Sequence, residues 1–194
     1  MTADEYINRV FYRVSRGNPQ RESSIYRAAI QATKDDARHK YALMSIGKGY
    51  HNQLEFDFPL SLTNNHATFG TYTDIIPESI PICDGVRHGS VSYKLKPVDR
   101  LSDLEAEAAI PNSPFGFYYP SLVGVDVAYG TAVLTGTLTV RAVRVPSFGT
   151  AIPVNTEHHL IDIGSVLAIA RLLDEGNMTQ EESQKASSSE SSAS

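Results

Sequence analysis

Residues 41–60, YALMSIGKGYHNQLEFDFPL, contain the change of period that decides the fold. Up to Met44, apolar residues return at three- and four-residue steps. After His51, Leu54, Phe56, Phe58 and Leu60 alternate with Gln53, Glu55 and Asp57. The first spacing lines one face of a helix and the second one face of a strand. Gly47 and Gly49 stand between them as the stop signal. The chain passes here from helix to sheet, and the predicted class is α+β.

Upstream, Tyr26, Ala29, Ile30, Thr33, Ala37 and Tyr41 continue the helical spacing back to about residue 24, so one helix is predicted over 24–45. Another is predicted over 3–16. Thr2 and Glu5 make a capping box, Ile7, Val10, Phe11 and Val14 share a face, and Arg9, Arg13 and Arg16 lie opposite. Gly17, Asn18 and Pro19 end it, and the two helices form an N-terminal hairpin.

Downstream, strand patterns continue from 53 to 145: Ala67 to Ile76, Ser90 to Lys96, Phe115 to Tyr119, Leu122 to Ala128 and Ala132 to Val145. In the last, Leu134, Leu138, Val140 and Ala142 alternate with threonines and Arg141, then Val143 and Val145 change face, as a bulge or a crossing between sheets would produce. Short connections and the lack of long crossover helices point to an antiparallel sheet or sandwich. Leu101 to Ala109 reads as a short acidic helix. After Pro153 a closing helix is predicted over 156–174, capped by Asn155 or Thr156. Its apolar residues, from Leu160 through Ile163, Leu167 and Leu172 to Leu173, cover too much of the circumference for one buried stripe. From Asn177 the chain turns polar and Ser-rich, so one domain over 1–176 and a disordered acidic tail over 177–194 are expected.

With 41% hydrophobic and 20% charged residues, the 194-residue chain can build a globular core. The net charge of -5 is uneven. Residues 1–48 hold nine Lys and Arg against five acids, about +4, and 174–194 hold one against five, about -4. The basic front suits nucleic acid, an acidic partner or a solvated helix face equally in pattern. No run approaches the ~20 apolar residues of a membrane span, and the acids of MTADEYINRVFYRV are unlike a signal peptide, so synthesis in a cytoplasm is expected.

Chemistry is sparse. Cys83 is the lone cysteine and reads as a small buried hydrophobe, although with His88 it is the one candidate for a hydrolase nucleophile. His158 and His159 are adjacent and point about 100° apart on a helix, so they are not a metal pair. Phe115, Phe117, Tyr118 and Tyr119 suit a sheet core or a ligand platform. No glycine motif for phosphate occurs. No cofactor, no metal and no enzymatic activity are expected.

The helices DEYINRVFYRV and SSIYRAAIQATKDDARHKYALMSIG, the strands FGFYYP and VLTGTLTVRAVRVP, and the late IPVNTEHHLIDIGSVLAIARLLDEG follow one another in a telling order. That layout resembles the head-to-tail connector proteins of tailed bacteriophages, the adaptor or ring proteins of podoviruses and crAss-like phages. The resemblance implies a virion structural subunit, made in the host cytoplasm, that assembles with itself as a ring such as a dodecamer. The ring would dock under the portal protein, extend the DNA channel, and receive the next tail or ring protein. Two different faces per subunit would then be needed. The candidates are Tyr26, Ile30 and Tyr41 on the long helix and Leu160, Ile163, Leu167 and Leu172 on the closing one, with portal docking implied for 160–194. DNA would pass without sequence reading, with Arg9, Arg13, Arg16 and Arg21 as possible channel charges. The alternative is a carbohydrate- or surface-binding β module of a virion, suggested by the aromatic strands.

Overall fold

A computed structural model describes residues 1–17, 23–70, 72–83, 85–89, 93–111, 113, 115–149, 152 and 156–188, with backbone alone at 93 and 94. The fold is α+β, with six helices and a mixed sheet of nine strands among the described residues. Where the sequence predicts one domain, the chain divides into two compact units: Met1–Met44 with Pro146–Ser194, and Ser45–Val145. Among the described residues, no helix is long and apolar enough to cross a membrane.

The first unit is helical. Helix α1, Ala3–Val14, starts at the expected capping box. The Thr2 hydroxyl accepts from the Glu5 amide at 3.2 Å and the Glu5 carboxylate accepts from the Thr2 amide at 2.7 Å. That amide holds the Glu5 carboxyl below its ordinary value. Helix α2, Ser23–Gly47, matches the predicted long helix, and the turn predicted at Asn18 and Pro19 lies outside the described residues. Helix α5, Glu157–Asp174, closes the unit. Its Gly164 lies so close to the Tyr6 ring of α1 that no Cβ fits between them. Small residues on α5, Gly164, Ser165 and Ala168, all buried, let the helices approach. The cap predicted at Asn155 lies outside the described residues; Thr156 stands at the cap position, but its hydroxyl bonds Tyr41 of α2 instead.

Gly176 ends α5 with φ +68°, its amide on the Leu173 carbonyl and the Asn177 amide on the Leu172 carbonyl. This is the Schellman pairing. A sixth helix follows, α6, Gln180–Ser188, within the stretch predicted to be disordered. Its cause is local: Thr179 and Glu182 cap each other's amides at 2.7 and 3.3 Å, Glu181 pairs with Lys185, and Ala186 is buried. Residues 189–194 lie outside the described residues.

The second unit is built on β1, Glu55–Thr63, and β9, Gly136–Arg144, paired antiparallel from Glu55↔Val143 to Leu62↔Gly136. β1 turns at Asn64 and Asn65, both with positive φ, into β2, His66–Thr68. Positive φ at both central residues is the type I′ geometry that matches strand twist. β2 pairs β8, Gly124–Ala128, which pairs β7, Phe117–Pro120. β7 pairs β6, Lys96–Pro97, in parallel, which corrects the all-antiparallel expectation. The short helix α4, Leu101–Ala108, supplies the crossover that a parallel pair needs. Against the other edge of β9 lie β4, Val86–His88, with β5, Tyr93–Lys94, and farther along β3, Ile75–Ile76.

The sheet curls so that one face gathers Phe58, Leu60, Leu62, Tyr118, Val125, Val127, Leu138 and Val140 into the core. The face change at Val143 is not a bulge, since the β1–β9 register runs unbroken. Val143 is buried opposite Ile76, and the four-residue helix α3, Ile80–Cys83, with its preceding turn covers that side. There the Ser79 hydroxyl takes the Val143 amide at 2.7 Å.

Candidate functional site

A nucleophile or a metal site would decide the function. Cys83 is buried, and desolvation pushes its thiol up to about 11, away from the thiolate that attacks or binds metal. His88 places Nε2 3.0 Å from the Thr135 carbonyl oxygen. The pair therefore lacks an activated sulfur. His158 and His159 bring their ring centroids to 3.8 Å despite their spacing on the helix. Among the described residues no three of His, Cys, Asp and Glu group as a metal site. One pair that the sequence reading missed is His66 with Asp126, facing across β2 and β8 with Nδ1 and Oδ1 2.6 Å apart. No sequence spacing reveals it, because the partners are 60 residues apart. Among the described residues no hydroxyl or thiol bonds this imidazole, whose partner is the Asp126 carboxylate.

Of the aromatic strand, only Tyr118 enters the core. Phe115 is exposed with the Lys96 ammonium 3.8 Å from its ring centre. Phe117 and Tyr119 are half-buried on the face opposite Tyr118. Tyr119 borders a groove of about 360 Å³ with Pro77, Glu78, Pro81, Asp99 and Leu122.

The predicted interface residues separate into two groups. Tyr26, Ile30, Tyr41, Leu160 and Leu172 are completely buried inside the helical unit, so they form its core and not a contact surface. Helical periodicity marks an apolar face without saying whether the same chain or another covers it. Ile163 and Leu167 are half-buried. With Met44, Val166, Lys40 and Asp162 they line an open groove of about 400 Å³ between α2 and α5. Val166 is 67% exposed there, the surplus apolar surface expected of the closing helix.

The arginines are less free than their sequence suggests. Arg9 pairs with Glu157 at 3.1 Å and Arg13 with Asp162, both on α5, so much of their charge is answered within the unit. Arg16 lies 5.2 Å over the Tyr12 ring. Arg21 lies outside the described residues.

A second surface was also missed. The turn between β7 and β8 carries Leu122, 80% exposed, and Val123, 68% exposed. Its backbone is fastened beneath them, with the Ser121 amide on the Gly124 carbonyl at 2.8 Å and the Gly124 amide on the Ser121 hydroxyl at 3.2 Å. The available signal was two aliphatic residues at turn positions where polar residues and glycine dominate. No protein-family model matches this chain, and no curated protein matches it significantly.

Proposed function

We propose that this chain is a structural subunit of a phage head-to-tail connector, a homo-oligomeric ring that sits under the portal and extends the DNA channel. The observation that carries the assembly part is the apolar surplus of α5. After Leu160, Gly164, Ala168 and Leu172 are buried within the helical unit, Ile163, Val166 and Leu167 still line an open groove. An apolar groove left open on a surface supports a contact with another molecule. The place in a virion rests on the resemblance of the element order to connector proteins.

In this reading DNA passes by general electrostatics alone, and the portal and the next tail component bind opposite ends of the ring. Electron microscopy of the purified chain mixed with the portal protein of the same genome tests it. Rings seated on portals are the expected result, and free single copies beside unoccupied portals would contradict it. A glycan array separates the alternative: specific sugar binding without portal association would favour a surface-binding module.

A further inference from the structure

We infer that the β7–β8 turn of one copy seats in the α2–α5 groove of a second copy. This rests on the assembly reading and names the two surfaces that would serve it. The turn is a fixed apolar knob: Leu122 and Val123 project from a hairpin end whose backbone is held by the Ser121 and Gly124 bonds. Such a pair adds nothing to the core of its own unit, where Val125 and Val127 already fill the inward positions of β8.

The groove is its counterpart. Met44, Ile163, Val166 and Leu167 supply an apolar floor, and the volume of about 400 Å³ has room for one Leu and one Val side chain. The charges around the two surfaces are opposite. Leu122 shares its neighbourhood with the exposed carboxylates Glu78 and Asp99, and among the described residues no cation pairs with them. At the groove, Asp162 is occupied by Arg13, which leaves the exposed Lys40 as the charge at the rim. Acids beside the knob therefore meet an ammonium beside the groove.

Knob and groove are different surfaces, so each copy offers one of each and the contact is head-to-tail. Such a contact continues from copy to copy until a ring closes or a filament grows. A symmetric pair formed from one shared patch would stop at two.

The geometry yields a complementation test in sedimentation velocity with the full chain. One variant has no knob, Leu122→Asp with Val123→Asp, and the other has a blocked groove, Val166→Asp. All three positions are exposed, and unchanged circular dichroism and thermal transitions will confirm folding. A milder knob variant, Leu122→Ser with Val123→Ser, covers the case in which aspartates perturb the turn. The wild type is expected to assemble, and each variant to associate about a hundredfold more weakly. Mixed together, the variants should form a dimer of one copy each, because one intact knob and one intact groove remain. If either variant assembles like the wild type, or the mixture stays monomeric, the pairing is wrong while the assembly reading stands. A wild type that stays a single copy at every concentration, both alone and with the portal protein, overturns both.

Discussion

Tyr6 is completely buried, and its hydroxyl has no hydrogen-bond partner among the described residues. An unsatisfied buried hydroxyl costs stability, so Tyr6→Phe is expected to be neutral or to stabilise by up to about 1 kcal/mol in urea denaturation. Burial, with Asp35 as a lesser cause, holds the phenol well above its ordinary value of 10.0. Because the folded state keeps the proton longer, the Tyr6 contribution is intact below pH 10 and is lost as pH rises beyond it. The advantage of Tyr6→Phe should therefore widen above that pH. Cys83 gives a second residue-level outcome. With its thiol at about 11 and its side chain buried, alkylation of the folded protein at pH 8 should be on the order of a hundredfold slower than after denaturation. Equal rates would show that the sulfur is not enclosed. At this scale the sequence reads well where a residue acts locally, as with Thr2 and Glu5, and poorly where the partner is remote. Leu160 and Leu172 look like contact residues in sequence because α5 is apolar on nearly every side, and only packing reveals which sides the chain covers itself.

β9 is the element on which the sheet unit turns, with β1 on one edge and β4 and β3 sharing the other. Where β4 gives way to β3, a side chain replaces a strand: the Ser79 hydroxyl accepts from the Val143 amide and donates to the Ile76 carbonyl at 2.6 Å. Ser79→Ala leaves that amide buried without its partner and should cost about 1–3 kcal/mol, read from the denaturation midpoint. Loss of amide protection at Val143 in hydrogen exchange would locate the damage. The Asn64–Asn65 turn gives an outcome opposite to turn statistics. Glycine is favoured at the second position of a type I′ turn, yet the Asn65 side chain donates to the Ala132 carbonyl at 3.2 Å and accepts from the Leu134 amide. Asn65→Gly should destabilise by about 1 kcal/mol, and a gain in stability would contradict that role. The long elements α1, α2, α5 and β1 were legible because each repeats its period over many residues. β6 was not, since a two-residue strand carries no period, and with it the parallel pairing was hidden. α6 escaped for a related reason: its order comes from a cap, one ion pair and a single buried alanine, with no apolar stripe.

At the scale of the whole molecule, the α2–α5 groove and the β7–β8 turn are two of the apolar surfaces left uncovered among the described residues, one on each compact unit. The groove was legible in part, because α5 carries more apolar residues than one buried stripe needs and Ile163 and Leu167 stood among its candidate contacts, whereas the turn was not. Val166 lay within a uniformly apolar helix, and Leu122 and Val123 read as the start of a strand. If the chain is a ring subunit, these two patches are where its copies meet. Multi-angle light scattering of the full chain, alone and with the portal protein of the same genome, measures this. The expected result is a discrete mass that is a multiple of the 21.2 kDa protomer, with comigration of the chain and the portal. A constant mass of one protomer, with or without the portal, would contradict it.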